Sequence, residues 1–171
     1  MKSDAIAIAN YFVDKSNDSN KNITLLSLLK LVYIAHGFIM VLLKDDCGGF
    51  NPRFDKVEAW RYGPVVPSVY HSFKHNGSNP IKQKVMILSS ADENDDNLLF
   101  TEPTITDENE KIVLDFVWNR YSKLSAGELV ELTHAAATPW KHLYQPGMNI
   151  EIPYSMTKEY YTEVLKFLEE N

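Results

Sequence analysis

Five histidines, one cysteine and a crowd of aromatics are the residues of this chain with chemistry to offer. His71 and His75 stand at i and i+4, the helical spacing that lets two imidazoles grip one metal ion. The intervening residues are Ser72-Phe73-Lys74, so the glutamate of a zinc-hydrolase His-Glu-x-x-His signature is missing. Both histidines also lie off the apolar stripe of Val69 and Phe73, which makes them a solvent-facing pair and not a metal site. His134 follows Leu132-Thr133 near a helix end, where the dipole favours a partly charged imidazole. His36, beside Gly37 in an apolar run, reads as a packed and hydrogen-bonded histidine. Cys47 sits next to Asp45-Asp46, whose charge disfavours a thiolate nucleophile. No nucleophile elbow, Walker loop or dinucleotide fingerprint is present. No catalytic residue, metal ligand or cofactor site is therefore expected. The one enzymatic alternative would use Thr133, His134 and the aromatic corner described next.

That corner is the segment Glu58-Ala-Trp-Arg-Tyr-Gly-Pro-Val-Val-Pro-Ser-Val-Tyr-His-Ser-Phe73. It combines a strand-like start, the Gly63-Pro64 break, a second proline and an aromatic helix face. Two readings are open. It can be a buried turn from strand to helix, or a rigid aromatic platform carrying the cation Arg61. Aromatics and arginine are the types enriched at interface hot spots.

Helical signals dominate the elements that must position these groups. Ser3 or Asp4 can cap a helix with the stripe Ala5, Ile8, Ala9, Phe12, Val13. Ser16–Asn22 reads as a loop. Thr24 caps a second helix, with Ile23 and Leu28 placed as a hydrophobic staple. Asp45–Pro52 is a turn region, and Phe54–Tyr62 a short strand with Val57, Ala59 and Arg61 on one side. Val66–Asn76 has Val66, Val69, Tyr70 and Phe73 on one face and stops at Asn76-Gly77. Val85–Leu88 and Leu98–Phe100 can pair as a hairpin around the acidic loop Asp92–Asn97. Asp107–Tyr121 is helical, with acids in its first turn. Ser125 and Glu128 form a capping box, and Thr138-Pro139 starts another helix. Ser155–Glu169 closes the chain with Tyr161, Val164, Leu165 and Leu168 as its stripe. The expected fold is mainly α, about seven helices with two or three short β-strands, the third strand near residues 149–152.

The chain has 171 residues, suited to one compact domain spanning 1–171. Its net charge of −6 carries no basic stripe for nucleic acid. A single cysteine and a polar N-terminus point to the cytoplasm. Residues 24–43 approach the ~20 apolar residues needed to span a bilayer. They include Lys30, which costs about 2.5–3.5 kcal/mol near mid-membrane, so a buried core helix is expected and no membrane partner.

Taken in order, Lys30-Leu31-Val32-Tyr33-Ile34-Ala35-His36-Gly37, Glu58 to Pro67 with Tyr70 and Phe73, Leu124-Ser125, Leu132-Thr133-His134 and Thr138-Pro139-Trp140 carry a resemblance. The chain resembles the SocA-like, or Panacea, antitoxin-associated domain, a group also described as GepA-like phage-associated proteins. The resemblance runs from about Ala5 to Tyr144, and residues 78–106 share only variability. It implies a bacterial, phage or mobile-element protein that neutralises a cognate protein toxin encoded nearby. It also implies that members face unrelated toxins, that at least one delivers its toxin to an ATP-dependent protease, and that none need be an enzyme. A phage-associated factor without a toxin is the remaining alternative. The shared positions, among them Lys30, Gly37, Trp60, Gly63, Pro64, Thr133 and Trp140, suit a scaffold. Partner contact is expected at Arg61, Tyr62, Tyr70, His71, Lys74, His75, His134 and Trp140. Specificity is expected in residues 78–106 and on the exposed side of Val66–Asn76, with Asp92–Asp96 setting on-rate.

Overall fold

The computed structural model describes residues 4–90 and 98–171, so the acidic loop at 92–97 lies outside the described residues. Helix α1 (Ala5–Asp18) starts where Asp4 accepts a hydrogen bond from the Ala7 N–H at 2.8 Å. It buries all five expected stripe residues. It runs past the expected boundary, because Ser16 is buried with its hydroxyl donating to the Val13 carbonyl at 2.9 Å. A polar residue satisfied by its own helix does not end it.

Helix α2 (Leu25–Leu42) is apolar on every side and is the axis of the molecule. It packs against α1, against α3 (Pro67–Phe73), and against three later helices: α4 (Glu108–Tyr121), α5 (Ala126–His134) and α7 (Tyr154–Glu170). By length and hydropathy it could cross a membrane, yet 72% of its 18 residues are buried in this fold. The close approach of α7 depends on Gly37, since a Cβ there would lie 2.2 Å from the Tyr161 ring.

Strands β1 (Glu58–Trp60) and β2 (Gly63–Val65) form a hairpin with Arg61-Tyr62 as its tip, and β5 (Ile150–Glu151) pairs with the other edge of β1. Gly63-Pro64 thus begins a strand where a break was expected. Pro64 is accommodated because β2 is an edge strand. Val57 and Ala59 are buried as expected, but Arg61 belongs to the turn and is exposed. Arg61 and Tyr62 keep negative φ, and Gly63, paired with Trp60, takes φ +108°, a conformation suited to glycine.

Helix α3 continues into a 3-10 turn, Lys74–Asn76, and ends at Gly77 with φ +57°. Strands β3 (Ile87–Ser90) and β4 (Leu98–Thr101) form the expected antiparallel hairpin. Its base is held to α1 by Asn10, whose amide bridges Val85 and the Pro103 carbonyl. The capping box of α5 is complete, Ser125 and Glu128 each accepting the other's backbone N–H. Thr138 caps the short helix α6 (Pro139–Leu143). Seven α-helices and five short strands are present among the described residues, which makes the fold mainly α.

Candidate functional site: an aromatic corner with a buried lysine

The β1–β2 tip, the start of α2, α3 and the start of α5 enclose a cleft of about 510 Å³. Its walls are mostly apolar: Leu25, Leu26 and Leu29 on one side, Trp60, Tyr62 and Tyr70 on the other. Trp60 meets Tyr70 edge to face at 4.9 Å, and its indole N–H donates to Glu58 at 2.7 Å. Tyr62 is 56% exposed at the rim, with the Arg61 guanidinium 5.3 Å from its ring centre.

Behind this wall a second aromatic set fixes the hairpin from inside. The Trp140 N–H donates to the Trp60 carbonyl at 2.6 Å. His134 and Tyr144 stack on the Trp140 ring at 3.5 Å and 4.6 Å, respectively. Trp60, Tyr62, Tyr70 and Trp140 therefore gather in one neighbourhood. Trp140 is only 7% exposed, so it supports the corner and offers no outer surface. His134 does end α5, but not as a charged cap. Burial and the nearby Lys30 and Lys141 hold its pKa below the ordinary imidazole value. Its Nε2 is buried without a hydrogen-bond partner among the described residues. His71, Lys74 and His75 are exposed on the α3 segment, and His71 lies against Tyr70 at 5.3 Å. His36 is the packed histidine expected: it stacks on Phe50 at 3.9 Å and bonds through Nδ1 to the Gly48 carbonyl at 3.2 Å. Burial pushes its pKa down to about 3, so the ring is neutral.

Sequence reasoning read Lys30 only as a scaffold position and as a mark against a membrane span. Its side chain is fully buried at the floor of the cleft. The ammonium donates to the Pro64 carbonyl at 3.0 Å. Burial pushes its pKa down to about 7, with no carboxylate among the described residues offsetting the cost. A Cβ on Gly63 would come within 2.9 Å of Lys30 Nζ and 2.8 Å of Thr133 Oγ1, so glycine is also what lets the lysine reach this place. The signal was a lone charge inside an 18-residue apolar helix.

A family profile described as "Antitoxin SocA-like, Panacea domain" matches residues 28–141, a span that begins just before Lys30 and ends just after Trp140. The chain belongs to the SocA-like Panacea domain family. It is 34% identical over 152 residues to "Antitoxin SocA" of Caulobacter vibrioides (strain NA1000 / CB15N), covering 86% of this chain and 74% of that protein. No solved structure matches the chain. The matched span runs from within α2 through the β1–β2 hairpin, α3, α4 and α5 to the first residues of α6, and so takes in Lys30, Trp60, Tyr70 and Trp140 of the corner.

Proposed function

We propose that this chain is an antitoxin that binds and neutralises a protein toxin encoded beside it, acting as a single domain in the cytoplasm without catalysis or a cofactor. The similarity to Antitoxin SocA over most of both chains carries the reading. The corner supplies the contact surface. Arg61 and Tyr62 project from a two-residue tip whose backbone is fixed by Trp140 beneath it, so little backbone freedom is lost on binding. His71, Lys74 and His75 extend the surface along α3, and Tyr70 joins the two. Residues 78–106 begin at the rim, where Gly77 and Ser78 line the cleft, and they carry an exposed apolar hairpin with Leu88, Leu98, Leu99 and Phe100 each more than half exposed. A net charge of −6 suits a basic partner and speeds encounter with it.

The test is co-expression with the neighbouring reading frame. Growth arrest by that frame alone, relieved by this chain, and co-purification of the two are the expected results. Arrest that persists would overturn the reading. Toxin abundance separates occlusion from delivery: it stays constant under occlusion, and falls only in the presence of an ATP-dependent protease if the chain is an adaptor. Replacing residues 78–106 with the stretch of a relative that faces another toxin should abolish relief while the chimera still folds.

A further inference from the structure

Helices α4 and α7 both pack on α2, yet they scarcely touch each other. The space between them is a groove of about 890 Å³. Its floor carries the buried rings of Tyr33, Tyr121 and Tyr161. Phe116 of α4, Leu132 of α5 and Phe167 of α7 stand exposed at its lip. Ile112, one turn before Phe116, extends the apolar strip along α4 and is exposed as well. Contiguous exposed apolar surface bounded by charge marks a protein contact. The groove is separate from the corner: α5 gives Ala126 to the cleft and Leu132 to the groove.

The two walls differ in charge. Arg120 and Lys123 stand at the end of α4, on the face that carries Ile112 and Phe116. Arg120 leans on the Tyr121 ring at 5.9 Å. Acids outnumber bases 23 to 17 in this chain, yet no carboxylate among the described residues pairs with Arg120 or Lys123. The opposite wall is a strip of α7 that alternates ring and acid: Tyr160, Glu163, Phe167 and Glu170. Glu163 reaches along its own helix to Lys166 at 2.8 Å and not across to α4. The groove is too wide for its own walls to neutralise each other.

We infer that this groove is the contact between two copies of the chain, with α7 of each copy lying in the groove of the other. The order across the contact is then α4, the second copy's α7, α7, and the second copy's α4. Tyr160 and Phe167 of the inserted helix meet Phe116 and the tyrosine floor, and its Glu163 and Glu170 meet Arg120 and Lys123. One chain thus supplies both the basic wall and the acidic, aromatic strip that fits against it, the self-complementarity that a two-fold contact requires. Rings at the centre and charges at the edge are the anatomy of a specific interface. The inference is independent of the antitoxin reading, which concerns the corner.

The experiment is sedimentation velocity of the full chain from about 1 to 100 μM, the range in which a dimer of micromolar affinity forms. A concentration-dependent dimer is expected, and it should weaken as salt is raised. Phe167 is 64% exposed, so Phe167→Glu should leave the circular dichroism unchanged. It should weaken the dimer at least about 100-fold, because each dimer loses the ring twice. Arg120→Glu with Lys123→Glu should give a monomer, and so should Glu163→Lys with Glu170→Lys. Mixed in equal amounts, the two charge-reversed chains should form a mixed dimer, since each offers the other the opposite sign on both helices. These variants read the same contact without altering Phe167. A monomer throughout the concentration range overturns the inference, and so does a dimer that Phe167→Glu leaves intact. Charge-reversed chains that stay monomeric on mixing overturn the placement of α7 against α4.

Discussion

Lys30 ties the electrostatics of the corner to the stability of the whole fold. Its folded pKa of about 7 lies below the ordinary 10.5, so between those values the unfolded chain binds a proton that the folded chain does not. Stability attributable to this group therefore rises with pH across that window, and the penalty is full below pH 7. Lys30→Met should stabilise the protein, by several kcal/mol at pH 6 and by much less near pH 10.5. Urea denaturation at both pH values checks this, and an equal gain at each would show that the lysine is already hydrated or paired. Trp140 makes the opposite case. Its ring is buried between His134 and Tyr144 and its N–H holds the hairpin. Trp140→Ala should cost about 3–5 kcal/mol, read as a lowered urea midpoint.

The helices were legible wherever their signals are local. Asp4, Ser125 with Glu128, and Thr138-Pro139 act within a few residues of themselves, and each caps the helix its position indicated. Ser125→Ala should accordingly remove about 1 kcal/mol, with the loss seen as faster amide exchange at the start of α5. Features made by distant pairing were not legible. Gly63-Pro64 reads locally as a break, and becomes a strand only because β1 is also paired with β5 from the far end of the chain. Lys30 reads as an argument against a membrane. Its real setting comes from Pro64 and from Thr133 of α5, which no periodicity in a uniformly apolar helix can reveal. The charge at His134 was misjudged for the same reason, since the lysine that opposes it lies on α2.

Six other elements gather around α2, and Gly37 lets α7 lie close against its backbone. Gly37→Ala would drive a methyl group into the Tyr161 ring, which is itself buried and meets Tyr33 and Phe38. The expected cost is about 1–3 kcal/mol from overpacking, accompanied by selective loss of protection in α7 by hydrogen exchange. Uniform loss across all helices would instead mean that α7 and the rest unfold together.

The order in which α2 acquires its neighbours also has a consequence for synthesis. When this helix leaves the ribosome α4, α5 and α7 are still to be translated. During that interval an 18-residue apolar segment is without most of its cover, and it has the length and hydropathy that chaperones and membrane-targeting factors bind. The nascent chain should therefore depend on a holding chaperone until α7 emerges. Chains terminated after Asn149 should be recovered in aggregates or at the membrane, and depletion of nascent-chain chaperones should lower the soluble yield of the full-length protein.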